Sequence, residues 1–449
     1  MGIIALLVFI AIAVILNVFL KRDISEALLV GLVGTALVGG VNAPTLLIDA
    51  VVDAAQSEVT FAGMAFVFMG IVVQSTGLID RLIAILNSIF GRLRGGAGYV
   101  STLGSALIGL IAGSTAGNSA TVGSVTIPWM KKTGWTAERS ATLVAGNSGL
   151  GVALPPNSTM FIILALPAAA ASSASQVYIA LACGGAYAVL YRLAVVFYWT
   201  RKGKIPATPD DQRVSFGEAM KTGWRSPLIF LGILIPVILT IGPLSEWLKT
   251  HGVGESGVKS MSIIVWVPIL ITAIALIEGR KRIANNMAHF RVQISKDLPQ
   301  FATVGISLFS ALAAANIMEE LGVGPQLSNW LDSMDLPKSV MVIIVCIMCI
   351  VVATPRSSTA TAAAIGAPAV AALAAVGIDP TVAIVVILLC TSTEGASPPV
   401  GAPIYLSAAI ADANPTKMFV PLITYFVVPM ILLAWLVGMG FLPVIVPTG

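Results

Sequence analysis

The chain has 449 residues, 57% of them hydrophobic and only 10% charged, with a formal net charge of +4. A soluble core cannot hide that much apolar surface, and so small a charge reflects topogenic Lys and Arg rather than a nucleic-acid-binding face. Apolar runs of about 20 residues match the bilayer thickness, and they show no polar alternation, so an all-α polytopic membrane protein is predicted rather than an outer-membrane barrel.

The first run, 2–20, has no basic residue before it and Lys21 and Arg22 after it. It is read as a retained span with its N-terminus outside, not as a cleaved signal. Further spans are predicted over 25–41, 56–77, 137–168 and 176–199, the first set ending at residue 200. A cytoplasmic linker at 201–225 precedes a second set, within 226–449, over 226–245, 260–279, 299–318, 380–411 and 416–445. Between the third and fourth span of each set lies a further apolar segment, 98–130 and 338–375, with small polar residues at its middle. Each is long enough to enter the membrane, turn and leave by the same side.

Charge favours the re-entrant hairpin. Lys21, Arg22, Arg81, Arg92, Arg94, Lys131, Lys132, Arg201, Lys202, Lys204, Arg280, Lys281 and Arg282 then share the cytoplasmic side, and the outer loops keep Lys249, Lys259 and Lys338. A full crossing at 98–130 places the Arg92/Arg94 and Lys131/Lys132 pairs on opposite sides of the membrane. In the hairpin arrangement both termini lie outside.

The two sets repeat at a constant offset of 243 residues: Pro155-Pro156 with Pro398-Pro399, Gly134 with Gly377, Gly123 with Gly366, Ser114 with Ser357. The stretches 79–95 and 325–337 also fall opposite each other. They carry Leu82, Ile85, Leu86, Ile89 and Phe90 in one, and Leu327, Trp330, Leu331 and Met334 in the other, at helical spacing. Both read as amphipathic helices along the membrane surface. Five spans precede the linker, so the second set enters the membrane upside down, the inverted-repeat plan of secondary transporters.

Four polar insertions interrupt the apolar runs. The hairpins turn at AGSTAGNSA (112–120) and ATPRSSTAT (353–361); the fourth and ninth spans break at GNSGLGVALPPNST (146–159) and TSTEGASPP (391–399). Proline inside a helix costs about 3 kcal/mol, and an unpaired backbone group in hydrocarbon several more. Small residues also permit close helix packing, but four breaks in matching register exceed what packing requires. Unwound carbonyls and hydroxyls suit a small hard cation, and half-helix N-termini suit an anion. Arg356 lies at membrane depth, where a guanidinium marks function by default; its planar fork fits a carboxylate, sulfonate or phosphonate, or pairs with Glu394 of the facing break.

The string GSTAGNSATVGSVTIPWMKKTGW, followed about twenty residues later by LPPNS, resembles the large membrane subunit of tripartite ATP-independent periplasmic (TRAP) transporters, of the ion-transporter superfamily. GAPAVAALAAVGIDP and SPPVGAPIYLSAAIA are similar to the matching region of its second half. The resemblance implies an elevator-type transporter, in which hairpins and broken spans move as one domain against a scaffold. It implies uptake of a small organic acid driven by a Na⁺ gradient. The implied partners are a soluble periplasmic substrate-binding protein and a small four-helix membrane subunit on a separate polypeptide. The implied location is the bacterial inner membrane, with Na⁺ as coupling ion and no cofactor.

Carried over by position, one Na⁺ falls between Gly113, Ser114 and Thr115 of the first tip and Ser148, Gly151 and Pro155 of the first break. A second falls between Ser357, Ser358 and Thr359 and the break at Thr391, Thr393 and Ser397. The substrate falls between the tips, within reach of Asn118, Asn157, Arg356, Ser357 and Glu394. Two features depart from the family: its second tip is usually more apolar with an acidic residue, where this chain has Arg356, and its acidic residue in the second break commonly stands two positions before Glu394.

Other chemistry finds little support. Cys346 and Cys349 form a C-x-x-C inside an apolar arm, where packing explains them. His251 and His289, the only histidines, are placed in loops, so neither a zinc site nor a Ser-His pair assembles. Arg192 lies near the cytoplasmic end of its span and is expected to snorkel. No phosphate-binding G-x-x-x-x-G-K-[ST] string is present. A self-sufficient carrier of the same superfamily, coupled to protons through Glu394, is the alternative to the Na⁺-driven importer.

Overall fold

The computed structural model describes residues 1–16, 20–112, 115–164, 166–169, 171–207, 215–240, 243–251, 254–259, 261–323, 326, 336–353 and 358–447. Among these the chain is helical, and the sole β feature is an isolated bridge between Arg94 and Ala207. By length and composition three single helices suffice to cross a bilayer, Ala174–Lys202, Phe301–Glu320 and Thr416–Gly438, or five spans if each of two bent pairs counts as one. The predicted span 260–279 is the continuous helix Ile263–Asn285, and the remaining ones are shorter helices or are broken.

Two faces of the molecule can be followed through its contacts. On one, Arg282 pairs with Asp80 at 3.6 Å, Arg225 with Glu278 at 3.6 Å and Lys417 with Glu138 at 3.7 Å, and Gly95 N–H donates to Pro206 O at 3.1 Å. On the other, Gly2 N–H donates to Leu321 O at 2.9 Å, Gln176 Nε2 to Pro447 O at 3.0 Å, and Thr381 Oγ1 to Ser172 Oγ at 3.1 Å. The helices Met287–Glu320 and Ala174–Lys202 connect the two faces. Met1 and the C-terminal residues therefore share the charge-poor face.

The first hairpin has arms Gly96–Ala112 and Thr115–Lys132, and both outer ends lie on the charged face, where Lys131 Nζ donates to Ala411 O at 2.6 Å. The second has arms Lys338–Ala353 and Ser358–Ala375, beginning beside Gly438 and ending beside the Ser172/Thr381 contact of the charge-poor face. Each hairpin feeds its broken span through the same device. Gly134 (φ 94°) and Gly377 (φ 76°) turn the chain in a left-handed conformation that glycine alone tolerates cheaply. Two residues on, Thr136 and Asp379 cap the next helix, accepting from Arg139 N at 3.2 Å and from Thr381 N at 2.8 Å. The first broken span runs Ala137–Asn147, Leu150–Ala153 and Ser158–Leu164; the second runs Pro380–Thr391, a 3₁₀ turn Glu394–Ala396 and Ala402–Ala411. Pro155-Pro156 and Pro398-Pro399 are both cis.

Several expectations need correction. Residues 43–56, which fall between the predicted spans 25–41 and 56–77, form the helix Ala43–Gln56, and the linker contains the helix Phe216–Gly223, whose Gly223 packs on Arg81 and Ile85. His289 lies within the helix Met287–Glu320 and not in a loop. Arg192 does not snorkel: it is 0% exposed, and its Nε, Nη1 and Nη2 have no hydrogen-bond partner among the described residues. Of the two expected surface helices, the first is Leu78–Phe90, burying Leu78, Ile79, Leu82, Ile83 and Ile85; residues 327–335 of the second lie outside the described residues.

Candidate transport site

The two breaks meet back to back. A Cβ at Gly149 would collide with Ser392 O, and one at Gly395 with Ser148 Oγ, so main chain from one span packs directly on the other. Gly149 and Ser392 are counterparts at the 243-residue offset. Gly151 lies equally close to Gly109 of the first hairpin, backbone on backbone. Only residues without side-chain bulk allow two unwound segments this close.

Around the first break, Asn118 at the start of the hairpin's second arm donates from Nδ2 to Ser105 O at 3.0 Å and to Ser148 O at 2.9 Å. It thereby ties both hairpin arms to the end of Ala137–Asn147. Asn147 Nδ2 donates to Thr102 Oγ1 at 2.9 Å. Three buried oxygens here have no hydrogen-bond partner among the described residues: Ser105 Oγ, Asn118 Oδ1 and Asn147 Oδ1. Buried polar atoms are rarely left unpaired, and these three belong to one small region.

Around the second break, the Glu394 carboxylate is the centre. Thr115 Oγ1 of the first hairpin donates to Oε1 at 2.9 Å, and Ser358 of the second donates to Oε2 from its N–H at 2.7 Å and its Oγ at 2.5 Å. Ser358 Oγ also lies 3.1 Å from Thr391 O. The remaining hydroxyls turn back onto their own helix: Thr391 Oγ1 to Leu388 O, Thr393 Oγ1 to Cys390 O, and Ser397 Oγ to Thr393 O. Thr159 and Thr359 place their hydroxyls 3.4 Å apart, joining the second half of the first broken span to the second hairpin.

Of the residues singled out from sequence, Thr115, Ser358 and Glu394 come together, with Thr391 beside them through its carbonyl. Ser148 offers its carbonyl to Asn118 while its Oγ donates to Ala145 O at 2.7 Å. Gly151 serves close packing, and Pro155 opens the cis pair. Asn157 is engaged locally: Nδ2 donates to Val152 O at 3.0 Å and Leu154 O at 2.9 Å, and Oδ1 accepts from Met160 N at 2.8 Å. Gly113, Ser114, Arg356 and Ser357 lie outside the described residues. Sequence reasoning missed Ser105, Gly109 and Asn147, which sit on helix faces that only the packing defines. An apolar groove of about 530 Å³, lined by Phe61, Met64, Phe68, Pro268 and Phe301, lies apart from both breaks.

Hairpins meeting broken helices in an all-helical chain define a membrane transporter fold. The same fold is seen in the solved structure of Neisseria gonorrhoeae MtrF, described with a class of antimetabolite efflux pumps: TM-score 0.61, 16% identity, 89% of this chain and 85% of that one. The chain belongs to the family "Tripartite ATP-independent periplasmic transporter, DctM component", whose pattern matches residues 3–439. It is 26% identical over 270 residues to the C4-dicarboxylate TRAP transporter large permease protein DctM of Pseudomonas aeruginosa, a match spanning 56% of this chain and 61% of that protein. It is 23% identical over 392 residues to YgiK of Salmonella typhimurium, 85% of this chain and 83% of that one. The family is one of transporters, and the Pseudomonas relative is a permease rather than an enzyme.

Proposed function

We propose that this permease carries out Na⁺-coupled uptake of a small organic acid, a carboxylate or sulfonate, in the bacterial inner membrane. A periplasmic substrate-binding protein delivers the acid, and a small four-helix membrane subunit completes the assembly. The observation that supports the ion coupling is the set of buried oxygens Ser105 Oγ, Asn118 Oδ1 and Asn147 Oδ1 beside the first break, which have no partner among the described residues. Two of the three are amide oxygens, which can only accept, and uncharged oxygens at a break in a helix fit a small hard cation. The second cation belongs at Ser358 and the break that follows Thr391.

An inverted repeat is supported by counterparts that touch, Gly149 on Ser392, and by hairpins that open from opposite faces. An elevator motion is supported by cross-packing between the halves. Lys131 reaches Ala411 O, Ser119 Oγ lies 3.4 Å from Pro403 O, and Thr159 meets Thr359, so each hairpin holds the other half's broken span. The acid lies between the tips, against Arg356, Ser357 and Glu394; Asn118 and Asn157 have their amide N–H groups committed to the backbone. The C4-dicarboxylate permease among the relatives agrees with a carboxylate.

The test is uptake into proteoliposomes holding this chain and its small subunit, supplied with the binding protein loaded with a ligand found by screening. Accumulation is expected with an inward Na⁺ gradient, and none with K⁺ in its place or without the binding protein. The grip of Glu394 on both tips favours one alternative, a self-sufficient proton-coupled carrier. Uptake without Na⁺ or binding protein that follows a proton gradient and stops in Glu394→Gln would establish it instead.

A further inference from the structure

Thr115 opens the second arm of the first hairpin and Ser358 opens the second arm of the second. The two are counterparts at the 243-residue offset, and each gives its hydroxyl to a different oxygen of one carboxylate: Thr115 to Glu394 Oε1, Ser358 to Glu394 Oε2. The Ser358 N–H adds a third bond. Glu394's own counterpart is Gly151, which has no side chain to reach anywhere. Among the described residues the tie between the two arms is therefore made by Glu394, at the centre of an otherwise duplicated arrangement.

We propose that Glu394 is the positioning residue that makes the two cation sites cooperative, by passing the closure of one hairpin tip to the other. The proposal rests on the Na⁺ reading above. The first tip is otherwise held to its own break by Asn118, and the second to its own by Ser358 on Thr391 O. The back-to-back contact at Gly149 and Ser392 joins the spans and leaves the tips independent. A cation that orders one tip lowers the cost of ordering the other through a group bonded to both. The three charge-assisted bonds of Glu394 are that link, and such bonds are about twice as strong as neutral ones.

The test is equilibrium binding of radiolabelled Na⁺ to the purified chain, at constant ionic strength with choline replacing Na⁺. The wild type is expected to bind with a Hill coefficient approaching two, the number of proposed sites. In Glu394→Ala it is expected to fall to about one with binding retained. Glu394→Asp, one methylene shorter, falls likewise and carries the test if the alanine variant does not fold. Glu394→Gln keeps most of the cooperativity, because its amide oxygen accepts from Ser358 and its NH₂ donates to Thr115. A wild-type coefficient of one, unchanged cooperativity in the alanine and aspartate variants, or complete loss in the glutamine variant overturns the coupling while leaving Na⁺ binding in place. Absence of specific Na⁺ binding in the wild type overturns the Na⁺ reading, and the coupling with it.

Discussion

Arg192 shows how far a single residue's environment escapes a linear reading. Its distance from the basic end of Ala174–Lys202 suits a snorkelling side chain, yet the guanidinium is fully buried. Among the described residues it meets the Phe426 ring, 5.9 Å from Cζ to the centroid. A desolvated charge costs several kcal/mol, and a cation–π contact returns about 2 kcal/mol at most. Replacement by an apolar side chain of similar reach removes the desolvation cost and keeps the packing. Arg192→Met is therefore expected to raise stability by about 1 kcal/mol or more, seen as a higher midpoint of thermal unfolding in detergent. A lower midpoint would mean that the guanidinium finds an acceptor in the folded protein.

At the scale of elements, the breaks depend on main chain approaching main chain. A methyl group at Gly151 would meet the carbonyl, carbon and Cα of Gly109, none of which can swing aside. Gly377 faces open space, and its constraint is φ 76° alone. Gly151→Ala is expected to cost about 1–3 kcal/mol by overpacking, and Gly377→Ala about 1 kcal/mol by backbone strain. Comparing the two unfolding midpoints checks the order; an equal or larger loss at Gly377 would show that the hairpin and the break are not in backbone contact. The devices that turn and break the chain were legible in the sequence because they are local: Gly134 and Gly377, the proline pairs, and the apolar stripe of Leu78–Phe90. The helix Ala43–Gln56 was missed because Asp49 and Asp53 interrupt the apolar run that marks a span, although its amphipathic pattern was there to find. Glu394 could be picked out as a charge at depth, but its partner at Thr115 stands 279 residues away. No local pattern encodes such a pair. The same limit hid Ser105 and Asn147, whose importance lies in oxygens that folding leaves without partners.

For the whole molecule, the two faces decide which way the transporter stands in the membrane. The charged face gathers Lys131, Lys132, Arg201 and Lys202, together with the ion pairs of Asp80, Arg225 and Glu138; Met1 and Pro447 lie on the other face. Basic loops are as a rule retained in the cytoplasm, so the proposed importer is expected to turn its termini and the mouth of its second hairpin to the periplasm. Two exposed positions on opposite faces, Lys132 and Ala171, report this directly. Cys346, Cys349 and Cys390 are buried, and only the partly buried Cys183 needs replacement to give a quiet background. In right-side-out spheroplasts a membrane-impermeant maleimide is expected to label Ala171→Cys at once and Lys132→Cys only after lysis. The reverse pattern would place the charged face outside and turn the proposed importer over, with its second hairpin opening toward the cytoplasm. Labelling of both positions before lysis would instead mean that the broken span between them, Ala137–Asn147 to Ser158–Leu164, enters and leaves the membrane on one side.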